Sequence, residues 1–338
     1  MTQVAKVSAI IVNRNGAEHL RICLPSLREQ SYNDLEIIVV DNSSMDDSAI
    51  VAKSFGAKWI SLRNNVGLAP ALNRGAREAR GDFLLFVNND MRFHEDFVSS
   101  LVRTLMDDPT TFAVDGMQYD WDGTAPGHLA TAVSHVRRRE RWCIELVPGL
   151  FLRQQEEQQP KAVVMASAAS MLVRRSFFES LGEFDERLPL SYEDVDLCWR
   201  AWVCGWKTVF VPDAICWHRV GSSCRSAEGS KLLFTGVLKG RLAFATKLLP
   251  LKYAALTWAA SVAGLARDVA KLQWRFAWNR TKVLAEFVVR VPEFLRAKRE
   301  LYQANGTTPA AHLDRMLQLD CERSAKTTCS HQAEKVAS

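Results

Sequence analysis

The stretch LEIIVVDNSS, residues 35–44, decides the fold that this 338-residue sequence predicts. Its four central apolar residues, Ile37 to Val40, follow one another without polar alternation, as in a strand that is covered on both faces. The polar residues that follow, from Asp41 to Ser44, are typical of a turn. The same apolar run occurs in SAIIVN at 8–13 and in DFLLFVN at 82–88. We therefore predict three strands buried within one sheet.

Helical patterns separate these strands. Helices are predicted at 17–30, 46–55 and 67–80, with a further short strand at 57–62. Strands that alternate with helices form a mostly parallel sheet, because each connecting helix must cross over one face of it. The sequence therefore predicts an α/β fold whose mostly parallel sheet carries helices on both faces.

The middle of the chain is less regular. We predict loops over 119–162, where Arg137, Arg138, Arg139 and Arg141 form a basic run. Such a run is either a solvated face or a contact for phosphate or lipid headgroups. Regular structure is predicted to return at 163–175, followed by a helix near 192–204 and a strand at 207–211.

The character of the sequence changes after residue 231, where it becomes apolar, helical and punctuated by Lys and Arg. The longest uncharged run, Tyr253 to Ala266, is 14 residues, whereas a spanning helix needs about 20. Two interpretations stay open: amphipathic helices lying on a membrane surface, or a helical subdomain packed on the core. A shallow or complete span near 248–266 is a third. We divide the chain into a catalytic domain (1–228), a helical region (229–303) and a flexible tail (304–338).

Composition excludes several classes of protein. Hydrophobic residues make up 48% and charged residues 24%, as in a globular chain. The net charge of +5 is a mild excess, without the aromatic-interleaved basic platform of a nucleic-acid binder. None of the eight cysteines forms a CxxC pair, so we expect free thiols and a cytoplasmic protein. The apolar run at the N-terminus, 7–12, is too short for a signal peptide.

Polar side chains follow each predicted strand. The four groups are Asn13-Arg14-Asn15-Gly16, Asp41-Asn42-Ser43-Ser44, Asn64-Asn65-Val66-Gly67 and Asn88-Asn89-Asp90. Each group alone is ordinary turn chemistry. All four together favour a ligand-binding edge, because ligands of parallel α/β sheets bind outside the carboxyl ends of the strands. Asp90 could hold a divalent cation there, with a ligand's diphosphate supplying further oxygens.

Two further candidates lie in the second half. Residues 193–196, EDVD, open a predicted helix that Ser191 caps and Gly205 ends. These acids either complement the helix dipole or supply a carboxylate base aimed at the pocket. His218 is either a structural histidine or a contact for metal or diphosphate.

Taken in order, these motifs resemble family 2 glycosyltransferases of the GT-A fold, a Rossmann-like α/β fold, over roughly residues 5–250. The matching pieces are VSAIIVNRNG, LEIIVVDNSSMDDS, NNVGLAPALNRGAREARGDFLLFVNND and SLGEFDERLPLSYEDVDLCWRAWVCGWKTVFVPDAICWHRVGSS. The likeness is greatest to bacterial rhamnosyltransferase-like members. It implies an inverting transfer of a sugar from a nucleotide-diphosphate donor.

The resemblance also implies roles for single residues. Asp41 would bind the nucleotide base, with Asn13, Arg14 and Asn42 in the same pocket. Asn65, Gly67 and Asn73 would shape the pocket floor. Asn88 and Asp90 occupy the ends of the family's D-x-D motif, so Asp90 is the main carboxylate ligand for Mg²⁺ or Mn²⁺, with His218 touching metal or diphosphate. Asp194 would be the base that deprotonates the acceptor hydroxyl.

We expect a metal-dependent inverting enzyme of cell-surface polysaccharide synthesis, such as that of an O-antigen, peripheral at the inner face of the plasma membrane. The rhamnosyltransferase-like branch suggests dTDP-L-rhamnose as donor and a saccharide or lipid-linked saccharide as acceptor. The Q-x-x-R-W motif of processive members is absent, which favours limited additions. Two alternatives stay open: an inactive scaffold with this fold, or a sugar nucleotidyltransferase.

Overall fold

We describe a computed structural model of the chain. It describes residues 5–124, 134–139, 143–148, 159–188, 190–219 and 227–318, with the backbone alone at 134–139, 143–148 and 227–232.

The described chain contains eleven strands and nine long or short helices with assigned bounds. The strands are β1 (Val7–Asn13), β2 (Leu35–Asp41), β3 (Lys58–Ser61), β4 (Phe83–Asn88), β5 (Met91–Phe93), β6 (Thr111–Asp120), β7 (Ser134–Arg139), β8 (Cys143–Pro148), β9 (Lys161–Val163), β10 (Leu172–Arg174) and β11 (Lys207–His218). The helices are α1 (Ala17–Arg28), α2 (Ser48–Ser54), α3 (Leu68–Arg77), α4 (Phe97–Asp107), α5 (Arg175–Ser180), α6 (Glu193–Val203), α7 (Ala227–Leu248), α8 (Leu251–Ala270) and α9 (Trp274–Ala304).

The main sheet has the order β3-β2-β1-β4-β10-β6-β11-β5, with β9 also paired to β11. Its first four strands are parallel, as predicted. The second half is mixed, because β10 runs antiparallel to β4 and β6, and β5 and β9 run antiparallel to β11. The prediction of an α/β sheet with helices on both faces and a helical C-terminal region is confirmed.

Each face of the sheet has its own core. Along β1, Val7, Ala9 and Ile11 pack with α1, α2 and α4, whereas Ile10 packs with α3 and α6 on the other face. Every one of these β1 side chains is fully buried. This burial on both faces is the physical reason for the unbroken apolar runs in the sequence.

The loop prediction for 119–162 was wrong in part. Strand β6 extends to Asp120, β9 begins at Lys161, and β7 and β8 form an antiparallel pair that places Arg137 opposite Glu145. Opposite charges facing each other across two strands favour such a pairing, and a run of arginines conceals it from hydropathy alone. The side chains of the basic run lie outside the described residues.

Strand β11 is also longer than predicted, since it continues past Pro212 to His218. A register shift between Val211 and Ile215 accommodates the proline, and pairing to β6 resumes beyond it. Proline is tolerated in a strand at such an irregularity.

Helices α7, α8 and α9 pack on one another and on α6. No helix in the described part of the chain is both long and apolar enough to cross a membrane. Within the predicted flexible tail, residues 309–318 are helical, and Leu313 and Met316 are buried in a cluster with Trp199 and Trp202 of α6. Residues 319–338 lie outside the described residues.

Candidate active site

The carboxyl ends of β1, β2 and β4 meet at one edge of the sheet. Asn13 is fully buried and lies beside Asp41 in the pairing of β1 with β2. Its side chain donates to Ser44 Oγ at 3.3 Å and accepts from Asn89 Nδ2 at 2.7 Å. A side chain at Gly16 would overlap this pair, since its Cβ would lie 2.2 Å from Asn89 Nδ2. The glycine therefore allows the loop after β1 to approach the end of β4.

Asp41 and Asn42, which follow β2 in succession, are both almost fully buried. The carboxylate of Asp41 accepts the Ser44 N–H at 3.1 Å. Since a carboxylate has about four acceptor positions, it retains capacity for a ligand. Asn42 uses both ends of its amide within the protein, donating to Gly67 O at 3.0 Å and accepting from Val66 N at 2.9 Å. It thus ties the loop before α3 to the sheet edge.

The predicted floor residues divide into two groups. Asn65 is exposed and accepts the Gly67 N–H at 3.1 Å, and Gly67 has a φ of 95°, which favours glycine. Asn73 does not join them. Its amide is buried, donates to Phe184 O and Glu186 Oε1, and accepts the Phe184 N–H at 3.0 Å. Asn73 holds α3 to the segment that leads to α6.

Asp90 and His218 come together although 127 residues separate them in the chain, because β5 pairs antiparallel with β11 and places Met91 opposite His218. Asp90 Oδ1 lies 3.2 Å from His218 Nε2. The other ring nitrogen, His218 Nδ1, is buried without a hydrogen-bond partner in the described part of the chain. The Asp90–His218 pair is therefore a carboxylate and an imidazole with unused donor or acceptor capacity at the sheet edge.

The pair fits a divalent cation whose remaining ligands come from a bound phosphate. Among the residues that the structure describes, no three His, Cys, Asp or Glu side chains form a metal-holding group. Mg²⁺ is commonly bound by only one or two carboxylates plus substrate phosphates, and imidazole is a ligand for transition metals. The remaining predicted residues flank this edge: Asn88 is half-buried at the end of β4, and Arg14 is exposed.

The three acids at the start of α6 have three different environments. Asp196 is buried and forms ion pairs with Arg200 and Lys247, each at 2.7 Å. It is fully committed within the protein. Glu193 is also buried, and its Oε2 has no hydrogen-bond partner among the described residues. Burial, and then the charge of Asp194, raise the pKa of Glu193 to about 8, so it is protonated near neutral pH.

Asp194 is half-buried and differs from both of its neighbours. Its carboxylate accepts the Val195 N–H at 2.8 Å and the Ala168 N–H at 3.3 Å. Burial raises its pKa above the ordinary value, while these N–H groups act in the opposite direction. The adjacent Ala169 accepts the Asn88 N–H through its carbonyl at 3.0 Å. The segment containing Ala168 and Ala169 thus joins Asp194 to the end of β4.

The predicted cap of α6 was wrong. The N-cap is Tyr192, without a side-chain cap hydrogen bond, and both Ser191 and Tyr192 have positive φ, 72° and 70°. Left-handed backbone at two non-glycine residues in succession is costly and requires support from the surrounding fold. Gly240 of α7 supplies it, since a Cβ there would lie 2.6 Å from the Tyr192 ring. Gly205 follows the end of α6 with a φ of 84°, as predicted.

Sequence reasoning missed Asp115, which is fully buried in the middle of β6. It accepts the Ser170 hydroxyl at 2.6 Å and the Ser167 N–H at 2.8 Å. Burial raises its pKa to about 6 despite these hydrogen bonds. Asp115 therefore holds the segment whose Ala168 N–H reaches Asp194. No signal in a single sequence distinguishes such a mid-strand aspartate.

The comparisons with known proteins agree with this arrangement. The family model described as "Glycosyl transferase family 2" matches residues 8–182. N-acetylglucosaminyl-diphospho-decaprenol L-rhamnosyltransferase of Mycobacterium tuberculosis is 26% identical over 251 residues, which cover 69% of this chain and 81% of the relative.

Two other relatives match over shorter stretches. Putative glycosyltransferase EpsH of Bacillus subtilis is 33% identical over 107 residues, covering 30% of this chain and 31% of the relative. Glycosyltransferase GlyA of Streptococcus pneumoniae is 27% identical over 183 residues, covering 52% of this chain and 25% of the relative. The chain thus spans less than a third of the length of these two proteins.

Solved structures share the fold at low identity. GalNAc-T7, crystallised with UDP, GalNAc and Mn²⁺, has a TM-score of 0.58 at 17% identity and covers 87% of this chain and 58% of its own. Mannosyltransferase PcManGT from Pyrobaculum calidifontis, in complex with GDP-Man and Mn²⁺, has a TM-score of 0.55 at 20% identity, covering 93% and 86%. The fold is GT-A. Because the family model covers just over half of its length, the chain belongs to glycosyl transferase family 2.

Proposed function

We propose that the protein is an inverting, metal-dependent glycosyltransferase. It moves a sugar from a nucleotide-diphosphate donor to a saccharide or lipid-linked saccharide acceptor in cell-surface polysaccharide synthesis. The observation that carries the proposal is the state of Asp194. It is the one acid of the α6 start that is half-exposed, held by two backbone N–H groups and not committed to an ion pair.

Asp194 acts as the general base. Its raised pKa brings it closer to the pH of the reaction, which improves a carboxylate as a proton acceptor. It removes the proton of the acceptor hydroxyl, whose oxygen forms the bond to the anomeric carbon. The bond from that carbon to the diphosphate oxygen breaks, and the nucleoside diphosphate leaves. Glu193, protonated at neutral pH, adds no negative charge beside the base.

The donor binds along the carboxyl edge of the sheet. Asp41 accepts from the nucleotide base, and Asn13 with Arg14 and Asn88 lines the same edge. Asn42, Asn65, Gly67 and Asn73 shape the site by holding its loops, as their hydrogen bonds within the protein support. Asp90 and His218 would hold Mg²⁺ or Mn²⁺. When bound, such a cation neutralises the charge that develops on the departing diphosphate.

The rhamnosyltransferase of Mycobacterium tuberculosis suggests dTDP-L-rhamnose as donor and a lipid-linked diphosphate sugar as acceptor. A lipid-linked acceptor would place the enzyme at the inner face of the plasma membrane.

Turnover of a panel of nucleotide sugars tests the proposal. The purified full chain is incubated with UDP-, GDP- and dTDP-sugars, dTDP-L-rhamnose included, each with Mn²⁺, Mg²⁺ or EDTA. A lipid-linked or short-chain diphosphate saccharide serves as acceptor. We expect nucleoside diphosphate release from one donor, abolished by EDTA, and a product whose anomeric configuration by NMR is opposite to that of the donor.

Retention of the donor's configuration would contradict the inverting mechanism. Release of pyrophosphate instead of nucleoside diphosphate would favour the nucleotidyltransferase. A folded protein without turnover of any donor would favour the scaffold.

A further inference from the structure

The exposed face of α8 is apolar along its whole length. Its residues follow the spacing of one helical face: Ala255, Ala259, Val262, Ala266 and Val269. The opposite, buried face carries Ser261, Gly264 and Asp268. A surface helix of a water-soluble domain has the reverse arrangement, with apolar residues inward and polar residues outward.

The polar inner face of α8 is satisfied by α9. Asp268 forms an ion pair with Arg280 at 2.8 Å, and Gly264 lies against the Arg280 guanidinium. The Ser261 hydroxyl donates to Thr257 O at 2.8 Å. The two helices are thus held together by paired polar groups, which leaves their apolar residues on the outside.

The apolar face continues through the turn into α9. Leu272, in the turn, is 71% exposed, and Trp274 and Trp278 are 62% and 61% exposed. Tryptophan is enriched where a protein meets the interface of a membrane with water. We call the α8 face, Leu272, Trp274 and Trp278 together the α8–α9 apolar surface.

The charge around this surface is positive. Residues 251–290 contain seven Lys or Arg and two acids, an excess equal to the +5 of the whole chain. The rest of the protein is therefore neutral overall. Both acids are paired, Asp268 with Arg280 and Glu286 with Lys239 at 2.6 Å. The basic side chains beside the apolar surface include the exposed Lys252 and Lys271.

We propose that the α8–α9 apolar surface docks the protein on a bilayer containing anionic phospholipid, with Leu272, Trp274 and Trp278 inserted among the headgroups. Apolar area and positive charge at one place fit such a surface, whose headgroups are negative. A second copy of the chain fits less well, because an isologous contact would bring two positive surfaces together. The inference deepens the membrane association that accompanies the proposed function.

Co-sedimentation with vesicles tests the inference without donor or acceptor, so its result is independent of the proposed activity. The full chain is mixed with vesicles of phosphatidylcholine alone or with 30% phosphatidylglycerol added, about a third of the lipid being enough to create a negative surface. We expect binding to the anionic vesicles that weakens as salt rises, and at least about tenfold weaker binding to neutral ones.

Variants separate the two parts of the surface. Leu272→Ser/Trp274→Ser/Trp278→Ser removes apolar side chains that are already exposed, so the fold is kept. We expect about a tenfold or greater loss of binding to anionic vesicles. Lys252→Gln/Lys271→Gln is expected to reduce binding and its dependence on salt.

The matched control is Ile50→Ser/Met106→Ser, which removes two apolar side chains that are 69% and 56% exposed elsewhere. It should bind vesicles as the unaltered protein does. Equal loss in the control and the triple variant would overturn the inference, and so would absence of binding by the unaltered chain. A dimer that the triple variant abolishes, without vesicle binding, would assign the surface to a second copy.

Discussion

Three neighbouring carboxyl groups, on Glu193, Asp194 and Asp196, differ because one turn of α6 points each into a different environment. Asp196 is enclosed by cations, Glu193 by apolar burial, and Asp194 by two N–H groups at a half-open position. Sequence position alone selects none of the three as the base. Their burial and partners do, because a base must be accessible, uncommitted and ionisable near the pH of the reaction.

Asp115 predicts a measurable dependence of stability on pH. Its pKa is about 6 in the folded protein against 3.8 ordinarily, so between these values the folded protein holds a proton that the unfolded chain has lost. The contribution of Asp115 to the free energy of unfolding therefore falls as pH rises through this window. Asp115→Asn removes it, so the unaltered protein should lose stability relative to the variant between pH 4.5 and 6.5, as urea unfolding would measure.

Asp108→Asn is the control for this prediction. Hydrogen bonds from Thr110 and Lys207 lower the pKa of Asp108 to about 2, which places its titration below the measured range. Its substitution should leave the slope between pH 4.5 and 6.5 unchanged. A constant stability difference between the Asp115 variant and the unaltered protein would contradict the assignment.

Among the elements, α6 depends on α7 for its position. Lys247 of α7 is 5% exposed and pairs with Asp185 and Asp196, each at 2.7 Å. Burial alone raises the pKa of Asp185, but the Arg187 hydrogen bonds and the Lys247 charge bring it below its ordinary value. The helix that carries the proposed base is thereby fixed from the C-terminal helical region.

Lys247→Met leaves two buried carboxylates without their shared cation. We expect a loss of about 3–5 kcal/mol in the free energy of unfolding, the range for breaking a buried ion pair. Lys207→Met is the matched control, because Lys207 pairs with Asp108 at the surface at 3.0 Å and is 46% exposed. Its loss should be below about 1 kcal/mol. Equal losses in urea unfolding would show that the buried network does not hold α6.

At the same scale, length and burial explain which elements the sequence reveals. β1, β2 and β4 lie within one residue of their predicted bounds, because buried apolar runs mark them. β5, β9 and β10 are three residues each and are too short to show periodicity. The left-handed backbone at Ser191 and Tyr192 depends on Gly240, about 50 residues away, which no local signal can indicate.

For the whole molecule, topology brings the site together. Parallel pairing gathers Asn13, Asp41 and Asn88 at one edge, so strand order alone suffices to predict them. Asp90 meets His218 only through the antiparallel β5–β11 pair. Their association was predictable from the resemblance to the family, whereas the packing of Asp115 and Lys247 required the structure.

The account's central claim is that Asp194 is the base, and a comparison of Asp194→Asn with Glu193→Gln tests it most directly. Both changes replace a carboxyl by an amide at adjacent positions, and Glu193→Gln mimics the protonated state expected at pH 7. We predict that Asp194→Asn keeps the affinity for donor, measured by titration calorimetry, but lowers turnover about 10²–10⁴-fold. Glu193→Gln should stay within about tenfold of the unaltered rate. Full turnover by Asp194→Asn, or the larger loss in Glu193→Gln, would contradict the account.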